Sequence, residues 1–397
     1  MDARLRIDST RPMAVGVSGG GDSVALALLA RRWAADHGRP LLLLTVDHGL
    51  SPLSTAWTQT CRALAKRLDA DFRALAWQGE KPANGLPAAA RTARHRLLAE
   101  AARQAGASVL MLGHTADDLA ESRRMRAEGS TIPLVREWAP SPAWPEGRDV
   151  FLLRPLLSAR RAEIRAWLAG RGEPWIEDPA NDDPRFARAR ARRAAPAPGP
   201  PSDERPNLAP LARRVRTNDA GVLRLPRVLL QDDAAGPLLA MACLCAAGTV
   251  RPPRRDAVER LAARLREAGP VAATLAGAHI EADMAEVRIM REPGEARRGG
   301  LAPLTMVPGE AVWDGRFEIA ADRPLTVAPL DGQITRLAPS SHAALAALPP
   351  KARRSLPAIE EAGGVACPVL APLPGVSIRP LAYERLLAAC GAAPRET

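Results

Sequence analysis

The run Ser18-Gly19-Gly20-Gly21-Asp22-Ser23 stands between an apolar Val15-Gly16-Val17 and an apolar stretch from Val24 to Leu29. This order reads as strand, glycine turn and helix. Glycines let the backbone approach an anion closely and take positive φ, and a helix beginning near Asp22 adds unpaired amides and the positive end of its dipole. The arrangement is built to hold phosphate. The turn has neither the Gly-Lys-Ser/Thr ending of a Walker loop nor the G-x-G-x-x-G spacing of a dinucleotide fold. Asp22, an acid inside an anion cradle, fits a magnesium ligand riding on the phosphates, the plain alternative being a tight turn with no ligand.

Short apolar segments at 13–17, 41–46, 72–76 and 108–112 alternate with longer amphipathic ones at 22–36, 54–69 and 88–105. That alternation predicts an α/β domain with a doubly wound parallel sheet and helices on both faces. Ligands of such sheets sit beyond the carboxyl ends of the strands. Three motifs fall there: the glycine turn, Val46-Asp47-His48-Gly49-Leu50, and Gly113-His114-Thr115-Ala116-Asp117-Asp118.

In the last of these, His114, Asp117, Asp118 and Glu121 recur at helical spacing and share one face. Three acids on one face repel each other unless something positive sits among them. The spacing suits a centre that handles magnesium and a cationic amine together, or acids that merely complement a helix dipole. Asp47 and His48 are either part of the same centre or a polar strand end. Arg91 and Arg94 share a side of the third helix and either reach phosphate or face solvent. Further on, Glu177-Asp178-Pro179 leads to a ladder of Arg188, Arg190 and Arg192, which reads as a nucleic-acid surface or as a helix obeying its own dipole.

The remainder bounds the class. A net charge of +11 with a pI near 10.6 points to a polyanionic partner or to solubility alone, and the base is almost all arginine, with lysine only at Lys66, Lys81 and Lys351. Cys61, Cys243, Cys245, Cys367 and Cys390 form no C-x-x-C pair, so no disulfide framework, zinc site or iron-sulfur site is expected, and a cytoplasmic setting without a membrane span is. Four segments are expected: a catalytic domain at 1–193, a Pro-rich linker at 194–206, a mainly helical domain at 207–299 and a small mixed α/β region at 300–397.

The glycine run resembles the pyrophosphate loop of the N-type ATP pyrophosphatases, the PP-loop superfamily. Together with the Asp47 motif, the Arg91–Arg96 block, the His114–Glu121 block, Arg154-Pro155-Leu156-Leu157 and Glu177-Asp178-Pro179-Ala180-Asn181, it resembles the tRNA(Ile)-lysidine synthetase family over residues 13–193. A weaker likeness continues through Pro252-Pro253-Arg254, Thr274-Leu275-Ala276-Gly277, Arg291-Glu292 and Trp313-Asp314-Gly315-Arg316.

The resemblance implies a ligase that activates the C2 oxygen of the wobble cytidine of tRNA(Ile) with a CAU anticodon, using ATP and Mg2+. An adenylated base forms, and free L-lysine displaces AMP to give lysidine, which turns an AUG reader into an AUA reader. Ser18, Gly19, Gly20, Gly21, Asp22, Ser23, Asp47 and His48 would then bind ATP, with Asp22 on magnesium. His114, Asp117, Asp118 and Glu121 would line the reaction centre and position lysine, and Arg91, Arg94, Arg188, Arg190 and Arg192 would meet tRNA or phosphate. Both regions after the linker would bind tRNA. The chain departs from the family at Arg126–Pro133, where a glycine-rich stretch is usual, at Ala189 in place of an asparagine and at His95 in place of a tyrosine. The alternatives are another PP-loop enzyme modifying tRNA cytidine, or an inert tRNA-binding paralogue.

Overall fold

The structure is a computed structural model that describes residues 1–129, 135–177, 206–361 and 364–396. The arginine ladder at 188–192, Asp178–Asn181, the departure at Ala189, residues 130–133 of the departure at Arg126–Pro133 and nearly all of the expected linker lie outside the described residues. The chain divides into two compact units, Met1–Glu204 with Ala393–Thr397, and Arg205–Ala392.

In the first unit, β1 (Met13–Gly16), α1 (Gly21–Asp36), β2 (Leu41–Asp47), α2 (Ser54–Arg67), β3 (Asp71–Ala76), α3 (Leu86–Gln104), β4 (Val109–Leu112) and α4 (Ala116–Ala127) follow the expected alternation. Then come β5 (Trp138–Pro140), β6 (Phe151–Leu153) and α5 (Arg161–Ala169). The strands lie in the order β3-β2-β1-β4-β6-β5, parallel up to β6, with β5 antiparallel at the edge. Strand apolarity on both faces explains the parallel choice, because alternate residues feed separate cores. Met13, Val15, Leu41, Leu43, Val109 and Met111 pack with Leu26 and Ala30 of α1, Leu64 of α2 and Leu168 of α5. Ala14, Leu42, Leu44, Leu110 and Leu112 pack with Leu98, Ala101 and Ala102 of α3. The order reverses between β1 and β4, which opens a crevice at their carboxyl ends.

The amino-terminal edge of the same sheet holds a different feature. Glu396 receives both terminal nitrogens of Arg39 at 2.7 and 2.8 Å, the Ser108 hydroxyl at 2.7 Å and the Arg6 amide at 3.1 Å. Both side chains of the Arg39–Glu396 pair are fully buried. The Glu396 amide donates to the Arg4 carbonyl at 2.9 Å, and the Trp138 indole donates to the Ala393 carbonyl at 2.6 Å. Four residues that follow the second unit in sequence are thus stitched into the first.

The second unit begins with a sheet ordered Arg216–Thr217, Leu223–Pro226, Glu286–Arg291, Ala278–Ala282, Val271–Leu275, all antiparallel. Helices Ala235–Ala246 and Arg255–Arg266 pack on it through Leu238, Leu239, Ala242, Leu261 and Leu265. Cys243 and Cys245 lie in this core, and burial pushes both thiols up to about 12. From Leu304 onward the chain forms a four-stranded and a three-stranded antiparallel sheet with short helices. Two segments of the weaker family likeness meet there: Arg291 binds Asp314 through Nε and Nη2, both at 3.0 Å, and Arg316 Nε reaches the same carboxylate at 2.7 Å.

Candidate active site

The glycine run leaves β1 and enters α1 as expected. Gly19 has φ +81°, and a Cβ there would lie 2.3 Å from Ile176 Cδ1, so the position admits only glycine. The Ile176 amide donates to the Gly19 carbonyl at 2.8 Å, which ties the segment after α5 to the loop. Ser23 Oγ donates to the Gly20 carbonyl at 2.8 Å and accepts from the Ser18 amide at 3.2 Å, closing the turn from inside. A Cβ on Gly113 would come within 2.9 Å of the Asp22 carbonyl oxygen. The exit of β4 therefore packs directly on the loop, and this brings the His114 motif to it.

Thr115 caps α4: its amide and hydroxyl donate to Asp118 Oδ2 at 2.9 and 3.0 Å. One oxygen of Asp118 thus serves the helix, as the plainer reading of these acids expects. The other carboxylate contacts belong to a residue that sequence reasoning missed. Arg161, first residue of α5, places Nε 3.1 Å from Asp22 Oδ2, Nη2 3.4 Å from Asp118 Oδ1 and Nη1 3.4 Å from Glu121 Oε1, while its amide donates to Asp117 Oδ2 at 2.7 Å. All four expected acids meet on one arginine. A base at the positive end of a helix dipole runs against electrostatics, and that anomaly was the available signal. Burial tends to lower the Arg161 guanidinium, but Asp118, Asp22 and Glu121 more than offset this and hold it above its usual value. Asp22 moves up, because its burial outweighs the pull of Arg161.

A cationic wall stands beside the acids. Arg154, buried after β6, donates from Nε to His114 Nδ1 at 3.3 Å and from Nη1 to the Arg136 carbonyl at 2.7 Å. Burial, with Arg91 and Arg94 nearby, brings its guanidinium down to about 10. His95 is buried in the same neighbourhood, and burial with Arg94, Arg91 and Arg154 pushes it down to about 2. His48 is lowered by burial and by Arg94, and stands edge-on to Trp77 at 6.0 Å. Arg91, Arg94, His48 and His114 are therefore neighbours in one positive region. Asp47 accepts from the Gly49 amide at 2.7 Å, a turn-forming bond, and among the described residues no hydrogen bond or ion pair links its side chain to the loop.

Opposite charge on adjoining walls suits an anionic nucleotide and a cationic amine held together. A magnesium ion would fit at Asp22 Oδ1, a buried carboxylate oxygen with no hydrogen-bond partner among the described residues, beside the glycine turn. Among the described residues no three acids, histidines or cysteines converge as a ready-made metal cage, since the acids here converge on Arg161.

A family model described as a PP-loop domain matches residues 3–196. The tRNA(Ile)-lysidine synthase of Caulobacter vibrioides is 52% identical over 361 residues, covering 90% of this chain and 86% of that protein. Those of Hyphomonas neptunium and Mesorhizobium japonicum are each 36% identical, covering 78% and 83% of this chain and 89% and 78% of those proteins.

Proposed function

Since the chain belongs to the tRNA(Ile)-lysidine synthase family and is an ATP-dependent ligase acting on tRNA, we propose that it joins free L-lysine to C2 of the wobble cytidine of tRNA(Ile) bearing CAU. The cytidine O2 attacks the α-phosphorus of ATP and pyrophosphate leaves, giving an adenylated base. The lysine ε-amine then attacks C2, AMP departs with the former O2, and the amine gives up a proton. The product pairs with adenosine, which moves the codon read from AUG to AUA.

The observation that carries this reading is the convergence of Asp22, Asp117, Asp118 and Glu121 on one cation, directly beside the phosphate turn. Reactions of this kind need positioning and charge neutralisation more than a covalent nucleophile. Ser18 to Ser23 cradle pyrophosphate, with Asp47 and His48 on the nucleotide side. Asp22 Oδ1 would hold magnesium, which when bound neutralises charge developing on the departing phosphates. Asp118 and Glu121 orient the ammonium of lysine, and Asp117 keeps α4 and α5 in register. His114 faces the reacting groups, held by Arg154, while Arg91 and Arg94 meet phosphate. Arg188, Arg190 and Arg192 contact tRNA or triphosphate, and the second unit reads the body of the tRNA. The setting is the cytoplasm; among the described residues no helix is long and apolar enough to cross a membrane.

Incubation of the protein with ATP, labelled lysine and bacterial tRNA tests the reading. Acid-stable label in tRNA(Ile) is expected. ATP-dependent modification of a tRNA cytidine without lysine label would favour another PP-loop chemistry, and tRNA binding without any ATP/pyrophosphate exchange would indicate an inert paralogue.

A further inference from the structure

We propose that Arg161 is a built-in stand-in for the substrate amine: its guanidinium fills the acid cluster before lysine arrives, and the ε-ammonium must displace it. The inference rests on the lysine chemistry proposed above. Three features carry it. The guanidinium touches three separate carboxylates, those of Asp22, Asp118 and Glu121, which equals the number of N–H donors on a primary ammonium. Its hold is loose, since two of the three contacts are 3.4 Å, beyond the usual range for a strong charged hydrogen bond. Its backbone is anchored independently, the amide donating to Asp117 Oδ2 at 2.7 Å, so the side chain can leave while α5 stays docked. The side chain as a whole is 18% exposed.

Such a stand-in keeps like charges together in the empty site and sets a threshold for entry. An amine gains a place only by bonding the carboxylates better than the guanidinium does, so weakly bonding cations are excluded. Arg161 is in this sense a positioning and specificity residue rather than a catalytic one. A nucleotide-binding arginine would instead be expected to hold phosphate and leave the acids when ATP binds.

The test is equilibrium binding of labelled lysine to the full chain in the presence of magnesium and a non-cleavable ATP analogue, together with kcat and KM for lysine and ATP. Removing the competitor in Arg161→Gln should tighten lysine binding about tenfold, the size expected for loss of one competing ion pair, and lower the KM for lysine in parallel. Arg161→Lys keeps one charge but cannot span three carboxylates, and should fall between wild type and the glutamine variant. The KM for ATP should stay within about twofold in both. Lysine binding that is unchanged or weaker in both variants overturns the proposal, as does a rise of tenfold or more in the KM for ATP. Should Arg161→Gln lack the wild-type thermal transition, Arg161→Lys decides alone. Wild-type protein that transfers lysine while the variants bind it no tighter sinks this inference only; wild-type protein that transfers none sinks the functional reading and this inference with it.

Discussion

Arg154 Nε lies 3.3 Å from His114 Nδ1, with both side chains buried. A guanidinium can only donate, so Nδ1 accepts and the ring proton sits on Nε2. His114→Ala is expected to lower the rate of lysine transfer about 100-fold, the range for loss of a positioned proton-transfer group. Arg154→Ala should lower it by a similar factor while the KM for lysine stays put. Single-turnover transfer measured on both variants checks this, and a wild-type rate in Arg154→Ala would dismiss the tautomer argument.

Asp22→Ala should reduce ATP/pyrophosphate exchange and lysine transfer by orders of magnitude, because it removes the carboxylate at the turn proposed to hold phosphate. tRNA binding should persist. Exchange assays beside filter binding on the same preparation separate the two effects, and wild-type exchange would remove Asp22 from the site.

The buried pair of Arg39 and Glu396 makes a stability statement. Despite burial, which acts to raise it, hydrogen bonds from Arg39 and Ser108 hold the Glu396 carboxyl below its ordinary value. A lowered carboxyl contributes stability that is whole above the unfolded value of about 4.3 and is lost as pH falls through the folded one. Glu396→Gln should cost about 3–5 kcal/mol at neutral pH by leaving Arg39 buried without its partner charge. Denaturant melts across pH should also show a shallower loss of stability below pH ~4.3 in this variant than in wild type.

His95 acts in a different window. The folded ring stays neutral down to about 2, whereas the unfolded ring takes a proton near pH ~6.5, so stability should fall as pH drops below that value. His95→Phe should flatten the slope between about pH 6.5 and 5. An equal slope in both proteins, read by urea midpoints, would assign the pH dependence elsewhere.

Within the second unit the basic segments divide. Arg255 pairs with Glu259 at 2.8 Å, Arg354 binds Asp331 at 2.7 and 2.9 Å, and Arg353 donates to the carbonyls of Leu348 and Ala346. Arg251, Arg254 and Lys351 are exposed. Replacing Arg251 and Arg254 by Ala should weaken tRNA binding and reduce its log–log salt slope by about one per lost contact, while Arg354→Ala should leave the slope unchanged.

The parallel domain was legible because apolar runs and helical spacing recur at the right lengths, and because its ligand motifs must lie at strand ends. The glycine turn and the His114–Glu121 face needed only local spacing. Arg161 did not announce itself: its partner Asp22 lies 139 residues away, and nothing local distinguishes it from Arg160 except a helix start where bases are disfavoured. Strands Val271–Leu275 and Ala278–Ala282 are rich in alanine, whose helix propensity masks them; the first pairs with the second, and the second with Glu286–Arg291.

The Glu396 clasp changes what counts as a domain. Residues 205–392 are, in topological terms, an insertion, since the chain leaves the first unit, builds the second and returns to the first at 393. A fragment ending near Arg193 would therefore remove more than the second unit. It would strip the edge of the sheet of its buried counter-charge, and loss of ATP binding in such a fragment would say nothing about where nucleotide sits. The separable first unit is an excision product, with 1–193 spliced through a short tether to 393–396, and only that protein can ask what the inserted unit adds to the choice of tRNA.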